Sequence, residues 1–196
     1  LLDYSNYKLS TKSLVKTFVA AQLDHWSSYS HMEEKLEAYP ELRMEIGIEE
    51  ISRSQLSRRI NELPTELVQK LFIKVVEKLS QLTKGLKGLP NGLGRLRIID
   101  STEIKLPHNL CDWAKISKKK TGVKMHTRLM VASPDVVYAD KIVPSSGRLS
   151  DFESSDVMIE ESDYIYIMDR GYPSRENLQS WQAKEISFVA RVSKSL

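Results

Sequence analysis

The chain has 196 residues, 41% hydrophobic and 28% charged, with a net charge of +3. That is an ordinary globular composition, with enough chain for one large domain or two small ones. No apolar run approaches the roughly 20 residues of a membrane span, and no basic-then-apolar leader opens the chain. The single cysteine, Cys111, excludes an internal disulfide and a cysteine-rich zinc site and fits a reducing, cytoplasmic setting.

Residues 1–83 have a helical period. Leu14, Val15, Phe18, Val19, Leu23 and Trp26 recur at three- and four-residue spacing, with Ser10 or Thr11 as the cap. Ser30 and Glu33 have the spacing of a capping box for a second helix, which stops near Tyr39-Pro40. A turn at Gly47 follows, then a helix opened by Ser52 or Ser54 that ends before Pro64. Thr65 begins a last long helix with Leu67, Leu71, Val75 and Leu79 on one face. The segment Ile48–Ile60 has a helix-turn-helix pattern. It offers Arg53, Gln55, Arg58 and Arg59, side-chain types that read base edges or grip phosphates. A helical bundle with a polar outer face is the plainer reading, and Glu49 and Glu50 favour it.

Residues 84–94 hold four of the eight glycines and Pro90, which marks a linker. Beyond it the period becomes that of strands, over residues 95–100, 123–132, 136–143, 164–169 and 186–191. Helices are expected over 149–161 and from Ser174 to Lys184, and residues 105–120 form a loop. The expected organisation is a helical DNA-binding domain (1–83), a linker (84–94) and a mixed α/β core (95–196). Three sequential strands joined by turns make an antiparallel meander. The strand-helix-strand units after them require parallel pairing through right-handed crossovers. The order is that of a ribonuclease-H-like five-stranded mixed sheet with flanking helices, in which the first and fourth strands are neighbours.

Those two strands each lead into an acid: Leu96-Arg97-Ile98-Ile99-Asp100 and Tyr164-Ile165-Tyr166-Ile167-Met168-Asp169. A carboxylate ending a core strand is costly unless it is paired, hydrogen-bonded or bound to a cation. Two on neighbouring strands suit Mg²⁺ (or Mn²⁺) and phosphoryl-transfer chemistry on nucleic acid. Charge is distributed to match. Residues 1–83 have a net charge of −1, residues 84–128 of +8 and residues 129–196 of −4. The positive stretch surrounds the first acid, and a phosphate backbone is its natural partner. Lys118, Lys119, Lys120, Lys124 and Arg128 are the backbone candidates, and Arg170 and Tyr172, flanking the second acid, are candidates for the scissile phosphate or a flipped base. His126, in register with Lys124 and Arg128, is expected on the same basic face. Trp26 and Trp181 are expected in the core, and Trp113 is a possible stacking residue in the basic loop.

With Ile99-Asp100-Ser101-Thr102, Gly122-Val123-Lys124-Met125-His126, Met168-Asp169-Arg170-Gly171-Tyr172 and Phe188-Val189-Ala190-Arg191 in this order, the chain resembles DDE transposases of the insertion-sequence-four type. The resemblance implies cutting of transposon ends and joining of the 3′-OH to target DNA by two metal ions. Asp100 and Asp169 match the first two acids. It also implies double-stranded DNA partners (terminal inverted repeats and target), a homodimer, and a bacterial, nucleoid-associated location. The family's third acid is a glutamate in a Y-x2-R-x3-E-x6-K signature, and no residue here matches it. The expectation is therefore that these 196 residues alone are catalytically incompetent. Where relatives have His-Asp before the helix after the third strand, this chain has Ser150-Asp151 and only Asp151 matches. Two other readings stay open: a non-catalytic DNA-binding fragment competing for transposon ends, and a different ribonuclease-H-like nuclease.

Overall fold

Side-chain capping fixes where the first helices begin. In the computed structural model, which describes residues 8–107, 114–117, 120–147 and 150–191, the Ser13 backbone N–H donates to Ser10 Oγ at 3.1 Å and opens α1 (Thr11–Leu23). Ser28, rather than Ser30, caps α2 (Tyr29–Ala38), accepting from the His31 N–H at 3.2 Å. The expected Ser30–Glu33 box starts two residues late because Tyr29 and Ser30 already have helical geometry. Pro40 then opens a further helix, α3 (Pro40–Ile46), where the sequence suggested only a turn. Proline is well placed at a first helical position, since its missing N–H is unpaired there in any helix. Gly47 closes α3 at φ 83°, a left-handed conformation in which a side chain would be strained.

Ser52 and Gln55 form a complete capping box for α4 (Arg53–Asn61), the Ser52 N–H donating to Gln55 Oε1 at 2.9 Å. Ser52→Ala is expected to cost about 1 kcal/mol, read as a lower urea midpoint with an unchanged slope. Leu14, Trp26, Met32, Leu36, Ile46 and Leu56 form the core of these four helices. Trp26 is buried among them, as its spacing indicated. The residues group into two compact units, Leu1–Lys74 and Val75–Leu196, and α5 (Thr65–Thr83) carries the chain across that division.

The second unit is a mixed sheet. Its strands are β1 (Leu96–Lys105), β2 (Lys115–Ser117), β3 (Lys120–Ser133), β4 (Val136–Ser146), β5 (Ile165–Met168) and β6 (Ser187–Ala190). β4, β3, β1, β5 and β6 lie in that spatial order, and the short β2 pairs with the start of β3. β1, β3 and β4 are antiparallel, whereas β1, β5 and β6 are parallel. This is the expected ribonuclease-H-like sheet, with β2 added inside the segment expected to be a loop.

Helices α6 (Asp151–Met158) and α7 (Arg175–Ala183) form the crossovers. Ser174 caps α7 as expected. Ile99, Tyr166 and Met168 pack with Met158 and Trp181 in one apolar cluster. By alternation, Ile98 and Ile167 belong to the opposite face of the sheet, and they are half-buried. The loop before β1 doubles back at Gly88 (φ 80°), where an added Cβ would fall 1.9 Å from the Gly94 carbonyl oxygen.

Candidate active site

Asp100 is not at the end of its strand. β1 runs on to Lys105 along β3, but its ladder with β5 ends at Ile99↔Met168. Asp100 and Asp169 are therefore the residues that follow the last paired positions of two parallel neighbours. Both are exposed. The Ser101 N–H donates to Asp100 Oδ1 at 2.8 Å, and among the described residues neither carboxylate has an ion-pair partner. Two adjacent acids without a protein counter-ion suit a divalent cation, which takes one or two carboxylates and fills its shell with water or phosphate oxygens. No three His, Cys, Asp or Glu side chains gather into a metal cluster among the described residues.

Asp151 begins α6 on the other side of β1. Its Oδ1 accepts from Lys124 Nζ at 3.0 Å and from Ser101 Oγ at 3.2 Å. Gly171 lies against it, since a Cβ there would meet Asp151 Oδ2 at 2.6 Å. The glycine after Asp169-Arg170 thus allows the turn to sit on α6. Ser150 completes a capping box with Glu153, whose carboxylate is held below its ordinary range by hydrogen bonds from the Ser150 hydroxyl and N–H.

His126 departs from the expected basic face. It is fully buried, with its ring nitrogens on the hydroxyls of Ser145 (2.9 Å), Tyr172 (3.1 Å) and Ser154 (3.2 Å). Burial lowers its pKa below 6.5; nearby Asp151 opposes this and Lys124 adds to it. Strand alternation puts Lys124, His126 and Arg128 on one face, and charge alone did not reveal that this face packs under α6.

Three of the proposed DNA contacts are corrected for the same reason. Arg128 is buried. Its Nε and Nη2 lie 2.9 and 3.0 Å from the Asp140 carboxylate, and Nη1 donates to the Met158 carbonyl at 2.7 Å. Arg59 is buried on the Leu9 carbonyl and Thr11 Oγ1. Tyr172 is buried beneath the second acid and does not face solvent. Lys124 is partly buried on Asp151. Gln55 caps α4, whereas Arg53, Arg58 and Arg170 are exposed. Lys118, Lys119, Cys111 and Trp113 lie outside the described residues, as does the Lys120 side chain.

A mixed sheet whose two central parallel strands each lead into an acid defines a ribonuclease-H-like domain. Residues 91–196 match the Transposase DDE domain family, and the chain belongs to that family. It is 22% identical over 192 residues to a probable transposase for insertion sequence element IS5377 from Geobacillus stearothermophilus, covering 98% of this chain and 47% of that protein. It is 36% identical over 81 residues to y4zB, a protein named as a transposase, from Sinorhizobium fredii (strain NBRC 101917 / NGR234), covering 41% of this chain and 22% of that one. The chain thus spans less than half the length of either relative.

Proposed function

We propose that the chain supplies the first two acids and a DNA-binding helical unit of a metal-dependent DNA transposase. The observation that carries this reading is the parallel Ile99↔Met168 register, the last ladder pair before Asp100 and Asp169. In this reading the two carboxylates would hold Mg²⁺ (or Mn²⁺), which would supply Lewis-acid stabilisation to phosphoryl transfer. Arg170, exposed beside Asp169, contacts the scissile phosphate, and Lys118, Lys119 and Lys120 are further backbone contacts. Arg53 and Arg58 line a groove with Tyr29, Ser30, Ser57, Asn61 and Glu62, and Arg53 Nη1 donates to Ser30 Oγ at 3.3 Å. Two arginines among hydroxyls and an amide suit a phosphate backbone and outweigh the single Glu62 carboxylate in charge.

The 196 residues contain no match to the family's signature glutamate, so alone they are proposed to bind duplex DNA and leave its strands intact. Joined to a segment carrying that signature, they are expected to cut at terminal inverted repeats in Mg²⁺, and Asp169→Ala stops the cutting. Arg53→Ala with Arg58→Ala weakens binding and reduces the slope of log affinity against log salt by about 2. Absence of duplex binding, or cutting that survives Asp169→Ala, would overturn the reading. Binding with an unaltered salt slope would remove α4 from the interface. A competitor for transposon ends that never cuts is the second reading, favoured by the same unmatched glutamate. Cutting by the joined polypeptide excludes it.

A further inference from the structure

Tyr172 has a hydroxyl that packing alone does not require. Phenylalanine would fill the same buried space, and a buried phenol oxygen is costly without partners. Here it has one in His126, whose Nδ1 lies 3.1 Å from it, and His126 is the residue of β3 paired with Ser101 of β1. The imidazole is itself fixed by the Ser145 and Ser154 hydroxyls and meets the tyrosine ring edge-on at 6.0 Å.

These partners matter because of what lies next to them in the chain. The Tyr172 N–H donates to the Asp169 carbonyl at 3.2 Å, so the phenol and the second acid belong to one turn. Ser101 follows Asp100 and donates its N–H to that carboxylate at 2.8 Å. One hydroxyl thus ties the turn of one acid to His126, which pairs across the β1–β3 ladder with the Ser101 that adjoins the other.

We propose that Tyr172 is a positioning residue: its phenol, anchored on His126 across the ladder from Ser101, sets the separation of Asp100 and Asp169. The proposal rests on the reading of these two acids as metal ligands. Burial raises the tyrosine well above its ordinary range and lowers the histidine, which favours the neutral form of both. Asn177 supports the turn from α7, donating to the Tyr172 carbonyl at 3.3 Å.

The test is Mn²⁺ affinity of the 196-residue chain, read from the electron paramagnetic resonance signal of free Mn²⁺, beside the thermal midpoint of the metal-free protein. Four proteins are compared: wild type, Asp169→Ala, Tyr172→Phe and Trp181→Phe. Tyr172→Phe keeps the ring and removes only the hydroxyl. It is expected to weaken Mn²⁺ about tenfold or more, the usual effect of losing a group that orients a ligand. Trp181→Phe disturbs the same apolar cluster away from the turn. It is expected to lower the midpoint with affinity unchanged, which separates positioning from general loosening.

Asp169→Ala distinguishes the two levels of the argument. If it removes binding while Tyr172→Phe leaves affinity as in wild type, the positioning role is overturned and the metal reading stands. Equal weakening by Tyr172→Phe and Trp181→Phe also overturns the positioning role. If wild type shows no saturable Mn²⁺ binding, or Asp169→Ala changes nothing, the metal reading fails and takes this proposal with it.

Discussion

Asp140→Ala is expected to lower the unfolding free energy of the sheet-containing unit by about 3–5 kcal/mol. The carboxylate lies between two buried guanidinium groups. Arg97 Nε is 3.1 Å from Oδ2, and Arg128 Nε is 2.9 Å from Oδ1, with side-chain exposures of 5%, 5% and 7% for the two arginines and the aspartate. The three residues come from β1, β3 and β4, so the cluster ties three antiparallel strands together. Removing the acid leaves two cations in a region from which water is largely excluded. Glu161 lies 3.2 Å from Arg97 and Glu160 3.5 Å from Arg128, but both glutamates are about half exposed and offset only part of that loss. Tyr164, with its ring centroid 3.7 Å from the Arg97 guanidinium carbon, offers a cation–π contact and no countercharge.

Total stabilities of 5–15 kcal/mol make a loss of this size enough to populate unfolded chain. Urea unfolding followed by tyrosine and tryptophan fluorescence measures it. A change below about 1 kcal/mol would mean that water reaches the cluster and that the arginines are solvated rather than paired. Replacing all three residues together by apolar ones of similar volume is expected to cost far less, because no charge is then left buried. The contrast between the single and triple replacements identifies the charge, rather than the packing, as the source of the effect.

The alternation and the Ser/Gly punctuation of residues 95–196 were enough to place β1, β3–β6, α6 and α7. The parallel neighbour relation of β1 and β5 came from matching the element order to a ribonuclease-H-like sheet, and the register bears that relation out. Burial of polar residues was less legible. Arg128 and His126 lie in a basic-looking strand, and only the distant partners Asp140, Ser145 and Tyr172 show that this face turns inward. Those contacts span 12 to 46 residues of sequence, and no local pattern encodes them. A parity argument could have raised the question, since Lys124, His126 and Arg128 share a face and strand faces are normally covered in a core. The same limit hid the role of Arg59, whose carbonyl partner is 50 residues away at Leu9. α3 was missed for a local reason: Pro40 was read as the end of a helix, although it also opens one.

Asp100→Asn is expected to act in opposite directions on metal binding and on stability, and that opposition is what identifies a functional acid. In the proposed site Asp100 and Asp169 are neighbours without metal, with no described cation against either. Like charges placed directly across neighbouring strands are destabilising. Neutralising one should therefore raise the thermal midpoint slightly, as happens where a site holds groups for function at some cost in stability. With divalent cation present the order reverses. A cation at about 100 times its dissociation constant adds about 2.7 kcal/mol to the wild type. The variant, left with one carboxylate, should lose nearly all of that gain and bind Mn²⁺ at least about 100-fold more weakly, at the upper end of what loss of ligand support costs. Thermal midpoints with and without 10-fold steps of Mn²⁺ measure both effects in one series. If Asp100 instead only caps its strand through the Ser101 N–H, the asparagine retains an acceptor, the midpoint stays level or falls, and Mn²⁺ stabilises both proteins alike. A rise without metal joined to a lost response with it requires that the two carboxylates face each other and share one cation.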